Sequence, residues 1–152
     1  MGLFKSKEEK DFIAAIEEIR EFFDSQFSDW DKTLKLTISA KRATEFPVEK
    51  IEPVIRQMWV ECYARGIVFA ALADAKYKQI AKKIPNFESR FPLSEFNRSV
   101  SVQAKNFGEL LGNLVYEIGQ IKPDYLNVLE KHLEEPELTI IQNEAKIAVQ
   151  QF

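Results

Sequence analysis

The chain has 152 residues, 45% of them hydrophobic and 30% charged, with one cysteine and a formal net charge of −3. That length suits a single domain (1–152) burying roughly 68–70% of its unfolded surface, so no disulfide or structural metal is needed to hold it. The balance excludes a disordered chain, and the single cysteine excludes an internal disulfide and a cysteine-rich zinc site.

Charge is unevenly placed, at −5 over residues 1–31, +7 over 32–105 and −5 over 106–152. A basic middle between acidic ends offers a footprint for an acidic partner. Antiparallel helices that neutralise one another explain the same pattern more simply, and that is the expectation here.

In chain order, Met1-Gly2-Leu3-Phe4-Lys5-Ser6-Lys7 fits the N-myristoylation pattern, with Gly2 after the initiator and Ser6 in the required place. Lys5, Lys7 and Lys10 would add a basic signal for an anionic lipid surface. The plainer reading of residues 1–7 is a frayed start. No apolar run resembling a secretory signal opens the chain, so a cytoplasmic location is expected, and the Asn97-Arg98-Ser99 sequon is read as chance.

From Glu8, the residues Phe12, Ile16, Ile19, Phe23, Phe27 and Trp30 recur at three and four, which predicts an amphipathic helix with an aromatic stripe. Asp31 to Glu45 is ambiguous. Leu34, Leu36 and Ile38 alternate as in a strand, yet Trp30, Leu34 and Ile38 share a helical face, with Ser28 or Asp29 as a candidate cap. A lone strand would have no partner, so helix is the expectation.

Met58 to Tyr77 is apolar on nearly every side at helical spacing, which predicts a buried central helix over about 52–84. Its stripe is Ile55, Met58, Cys62, Phe69, Ala73 and Ile80, with Gly66 in the gap to admit a close neighbour. Glu61, Arg65 and Asp74 interrupt it, at about 2.5–3.5 kcal/mol each near a bilayer centre, so a membrane span is not expected. Pro47 and Pro53 mark its entry, and Pro85 stops it.

Residues 85–93 read as a loop, and Ser94 as the cap of a long helix over about 94–121. There Phe96, Val100, Ala104, Phe107, Leu111, Leu114, Ile118 and Ile121 repeat near a heptad, beside Gly108, Gly112 and Gly119. A short helix after Pro123 should bury Leu126, Leu129 and Leu133. A last one, Glu137 to Gln150, should bury Leu138, Ile141, Ala145 and Ala148. The predicted fold is all-α, a bundle of five or six helices.

Catalytic signals are sparse. His132 is the only histidine and Cys62 the only cysteine, with nothing in the sequence to place them together. His132 is expected at the surface or half-buried, and Cys62 as a small core hydrophobe. No Glu-x-x-His pair, phosphate loop, nucleophile elbow or calcium loop occurs. No enzymatic activity, metal or cofactor is therefore expected.

Two constellations remain. Glu61 and Arg65 are spaced for an ion pair and, with Asp74 nearby, could form the polar floor of an interhelical pocket. Lys76, Lys78, Lys82 and Lys83, interleaved with Tyr77 and near Arg90, form a basic cluster. Such a cluster can suit single-stranded nucleic acid, but a solvated last turn is the plainer reading and a nucleic-acid partner is not expected.

The expectation is a non-enzymatic helical interaction module, regulatory or adaptor-like, that binds a protein partner and could self-associate. Its alternatives are a lipid-anchored peripheral protein using Gly2, and a small-molecule-binding bundle with a pocket beside Glu61, Tyr63 and Arg65.

Overall fold

The computed structural model describes residues 6–150, and those residues form an all-α bundle. In order they build α1 (Lys7–Thr37), α2 (Ala40–Ala43), α3 (Val48–Lys83), α4 (Phe87–Arg90), α5 (Leu93–Ile121) and α6 (Pro123–Leu129). A 3-10 turn (Glu130–Leu133) and α7 (Glu137–Val149) complete the described chain. The long central pair is α3 and α5.

Local chemistry sets the boundaries. Ser6 caps α1 by accepting from the Glu9 amide at 3.2 Å, and Glu9 three residues on gives the Ser-x-x-Glu pattern of a capping box. The helix therefore begins at Lys7, inside the expected frayed start. It also runs unbroken through Ser28 and Asp29, which were expected as caps of a second helix. Helix rather than strand is found after Asp31, as far as Thr37. Ile38 is then extended, and Ser39 caps α2 by accepting from the Arg42 amide.

α3 starts at Val48, four residues before its expected start, and passes through Pro53. Proline in the second turn removes one helix hydrogen bond. Burial of Ile51, worth about 1.5–3 kcal/mol, favours the extra turn. The helix ends where Ile84, held extended ahead of Pro85, can no longer be helical.

Three expectations beyond α3 need correcting. Residues 85–93 are not a simple loop, because Phe87–Arg90 form one helical turn that buries Phe87 beneath Tyr77. Ser94 is not a cap, since Pro92 occupies that position and α5 starts at Leu93. After α6 the chain tightens to three residues per turn, so His132 rather than Leu133 follows Leu129 into the core.

α1 lies antiparallel to α3, as its cross-links show: Glu9 to Arg90 just past α3 at 2.9 Å, Glu18 to Lys76 at 3.0 Å and Asp29 to Arg65 at 2.8 Å. The acidic first segment and basic middle thus neutralise one another across helices. α1 runs parallel to α5, with Phe23 against Phe96 and the Trp30 indole donating to the Phe107 carbonyl at 2.9 Å. Between α1, α3, α4 and α5 lies a connected aromatic cluster. Phe69 stands edge-on to Phe23 (5.0 Å) and Phe107 (5.3 Å), and Tyr77 meets Phe96 at 4.7 Å. This cluster accounts for much of the high phenylalanine content.

α7 climbs the first half of α3 in the same direction. His132, just before it, lies by Glu52; Glu137 lies by Arg56; Gln142 hydrogen-bonds Tyr63. This half of α3, packed by both α7 and α5, buries Met58, Trp59, Val60, Cys62 and Ala64. Further along, α3 is not enclosed on all sides. Ile67 and Leu72 are 38% and 47% exposed, and Ala70, Ala71 and Ala75 are exposed with them. No helix among the described residues is long and apolar enough to cross a membrane.

Candidate functional site

The first half of α3 is roofed by α7, and its flank is bounded by α1. Between α1 and α3 an open groove of about 650 Å³ is lined by Gln26 of α1 and by Glu61, Ala64, Arg65 and Val68 of α3. Helical geometry explains the set, because Glu61, Ala64, Arg65 and Val68 fall at steps of three and four and so share one face. Apolar surface dominates the lining, although Gln26, Glu61 and Arg65 also contribute polar groups to it.

Arg65 is held by α1. Its guanidinium donates to Asp29 Oδ2 at 2.8 Å, reaches Thr33 Oγ1 at 3.5 Å and lies 4.9 Å from the centre of the Trp30 ring. Trp30 is wholly buried and fixed by its bond to Phe107, so the guanidinium rests on a rigid surface. This corrects the expected pairing of Arg65 with Glu61. Asp29 on the facing helix sits beside the aromatic face that draws the cation, and Glu61 offers no such combination.

Glu61 is exposed at the groove and forms no ion pair among the described residues. Asp74, expected near this pair, instead takes Lys78 at 2.9 Å one turn on. Tyr63 turns away from the groove toward Gln142, and burial pushes its hydroxyl pKa up.

The lysine cluster is divided among different surroundings. Lys76 is tied to Glu18 and sits 5.8 Å from the centre of the Phe22 ring. Lys78 is tied to Asp74, while Lys82 and Lys83 are exposed. Tyr77 is buried and donates its hydroxyl proton to the Phe91 carbonyl, so it presents no face for base stacking. Arg90 is occupied by Glu9 and by the Phe12 ring at 3.7 Å. Gly2, the candidate acylation position, lies outside the described residues.

Sequence reasoning missed a second polar constellation. His132 is 2% exposed rather than at the surface or half-buried, its Nδ1 3.0 Å from Glu137 Oε1 and its Nε2 3.8 Å from Glu52 Oε1. Arg56 reaches Glu137 at 3.4 Å and grips Glu144 with two hydrogen bonds of 2.7 and 2.8 Å. That grip lowers the Glu144 carboxyl pKa and raises that of Arg56. The carboxylates, the guanidinium and the imidazole together join α3, the 3-10 turn and α7.

Cys62 stands elsewhere, with its sulfur facing Gly108 of α5. Burial pushes its thiol up to about 12, against a weaker pull from Arg65. No reactive thiolate forms there near neutral pH. Among the described residues no group of His, Cys, Asp and Glu could hold a metal ion. Comparison with protein-family models, with curated proteins and with solved structures finds no match.

Proposed function

We propose that this protein is a non-enzymatic helical interaction module, regulatory or adaptor-like, that takes a helix of a protein partner into the groove between α1 and α3. One observation carries the reading. The groove is lined by apolar Ala64 and Val68, by a cation already neutralised by Asp29, and by the exposed carboxylate of Glu61, which has no ion pair among the described residues. An amphipathic helix would bury its apolar stripe on such a lining, as helix-in-groove recognition does elsewhere. A cation on that helix would meet Glu61.

The test is a photo-crosslinking residue at Val68, with Val102 on the exposed face of α5 as the control position. A discrete protein adduct from Val68, absent from Val102 and weakened by Glu61→Lys, is the expected outcome. No adduct from Val68, or the same adducts from both positions, rejects the reading.

A further inference from the structure

We infer that the helix this groove accepts is α7 of a second copy of the chain, so that the protein forms a reciprocal dimer. The inference rests on the groove reading above and names its partner.

The evidence lies on the outer face of α7. Ile141 and Ala145 are buried inward, which leaves Ile140, Asn143 and Ile147 along the solvent side at steps of three and four. The two isoleucines are 50% and 57% exposed. Singly exposed aliphatic residues are ordinary on a protein surface. Two on one helical face, in a molecule with an open apolar groove, form a matching pair of surfaces.

The dimensions match as well. Ile140 to Ile147 is seven residues, about 10.5 Å of helix at 1.5 Å each, and Glu61 to Val68 along the groove has the same rise. Charge then fixes the direction. Lys146 is the single cation of α7, is exposed, and has no ion pair among the described residues. Laid antiparallel on α3 with Lys146 level with Glu61, the incoming α7 brings Ile140 level with Ile67 and beside Val68, while Ile147 lies one residue beyond Glu61. Ile67 and Leu72 extend the apolar surface beyond the groove.

Symmetry supports the same arrangement. Each copy carries both the groove and the stripe. Because α7 and α3 run in the same direction within one copy, an antiparallel match sets the two-fold axis perpendicular to the helices. Both docking contacts then form together, as a closed, self-complementary dimer requires.

Sedimentation equilibrium and native mass spectrometry of the full chain test this directly. A concentration-dependent monomer–dimer equilibrium is expected, and Ile147→Glu should shift it to monomer without changing helix content by circular dichroism. Glu61→Lys and Lys146→Glu should each weaken the dimer about tenfold or more, and the double charge reversal should recover most of that loss. A crosslinker at Val68 should map to α7 of the other copy. Self-docking is overturned by a wild type that is monomeric up to about 1 mM, or by a dimer indifferent to Ile147→Glu and to the charge reversals. If the Val68 crosslink instead reaches a different protein, self-docking falls and the groove reading stands. If Val68 crosslinks to nothing, both fall.

Discussion

At the scale of single residues, the glycines separate sequence pattern from physical need. Gly66, Gly108, Gly112 and Gly119 all suggested close helix packing. A Cβ on Gly66 or Gly108 would make only ordinary 3.9 Å contacts, with Ala104 and Cys62, and one on Gly112 would meet nothing within 4 Å. At Gly119 it would stand 2.9 Å from Leu126 Cβ, an atom fixed by the backbone of α6. Gly119→Ala should therefore destabilise the fold by about 1–3 kcal/mol through overpacking. Gly112→Ala should stabilise it by up to about 1 kcal/mol through helix propensity. Urea unfolding of the two variants beside wild type checks both signs.

At the scale of elements, α7 is held to α3 by apolar burial of Ile141 and Ala145 and by the grip of Arg56 on Glu144 and Glu137. The hydrogen bonds from Arg56 depress the Glu144 carboxyl pKa. A depressed carboxylate contributes stability above its unfolded value, about 4.3, and loses it as the pH falls through the lower folded value. Glu144→Gln should thus destabilise the protein most near neutral pH, with the difference from wild type shrinking on acidification below about pH 4. Glu144 is 43% exposed, so solvent screening keeps the effect modest. Urea midpoints measured from neutral to strongly acidic pH follow it, and a pH-independent difference would contradict the account.

At the scale of the whole molecule, two kinds of contact join α1 to the rest, and they differ in weight. The ion pair Glu18–Lys76 lies at a surface where the carboxylate is 54% exposed, a setting worth about 0–1 kcal/mol. The aromatic cluster is buried, and Phe69 at its centre touches rings from α1 and α5 together. Phe69→Ala should cost about 3–5 kcal/mol, whereas Glu18→Ala should cost no more than a surface pair. High salt should weaken the wild type only slightly. Thermal melts of the two variants with and without added salt make the comparison.

The sequence by itself determined the all-α class, the long helical pair and the inward stripe of Ile55, Met58, Cys62, Phe69, Ala73 and Ile80, all of them buried. Periodicity sufficed because a helix sorts its own residues into faces through local geometry alone. The sequence also singled out Glu61 and Arg65, but not what surrounds them. Only the tertiary structure gave Arg65 to Asp29 and Trp30, left Glu61 unpaired among the described residues, added Gln26 as a wall, and drew His132 inside beside Glu137. It also left one face of the second half of α3, with Ile67, Ala70, Ala71, Leu72 and Ala75, exposed past Gly66. Each of these depends on which helix lies beside which and where it stops. Partners 36 residues apart, such as Arg65 and Asp29, leave no periodic trace in the chain.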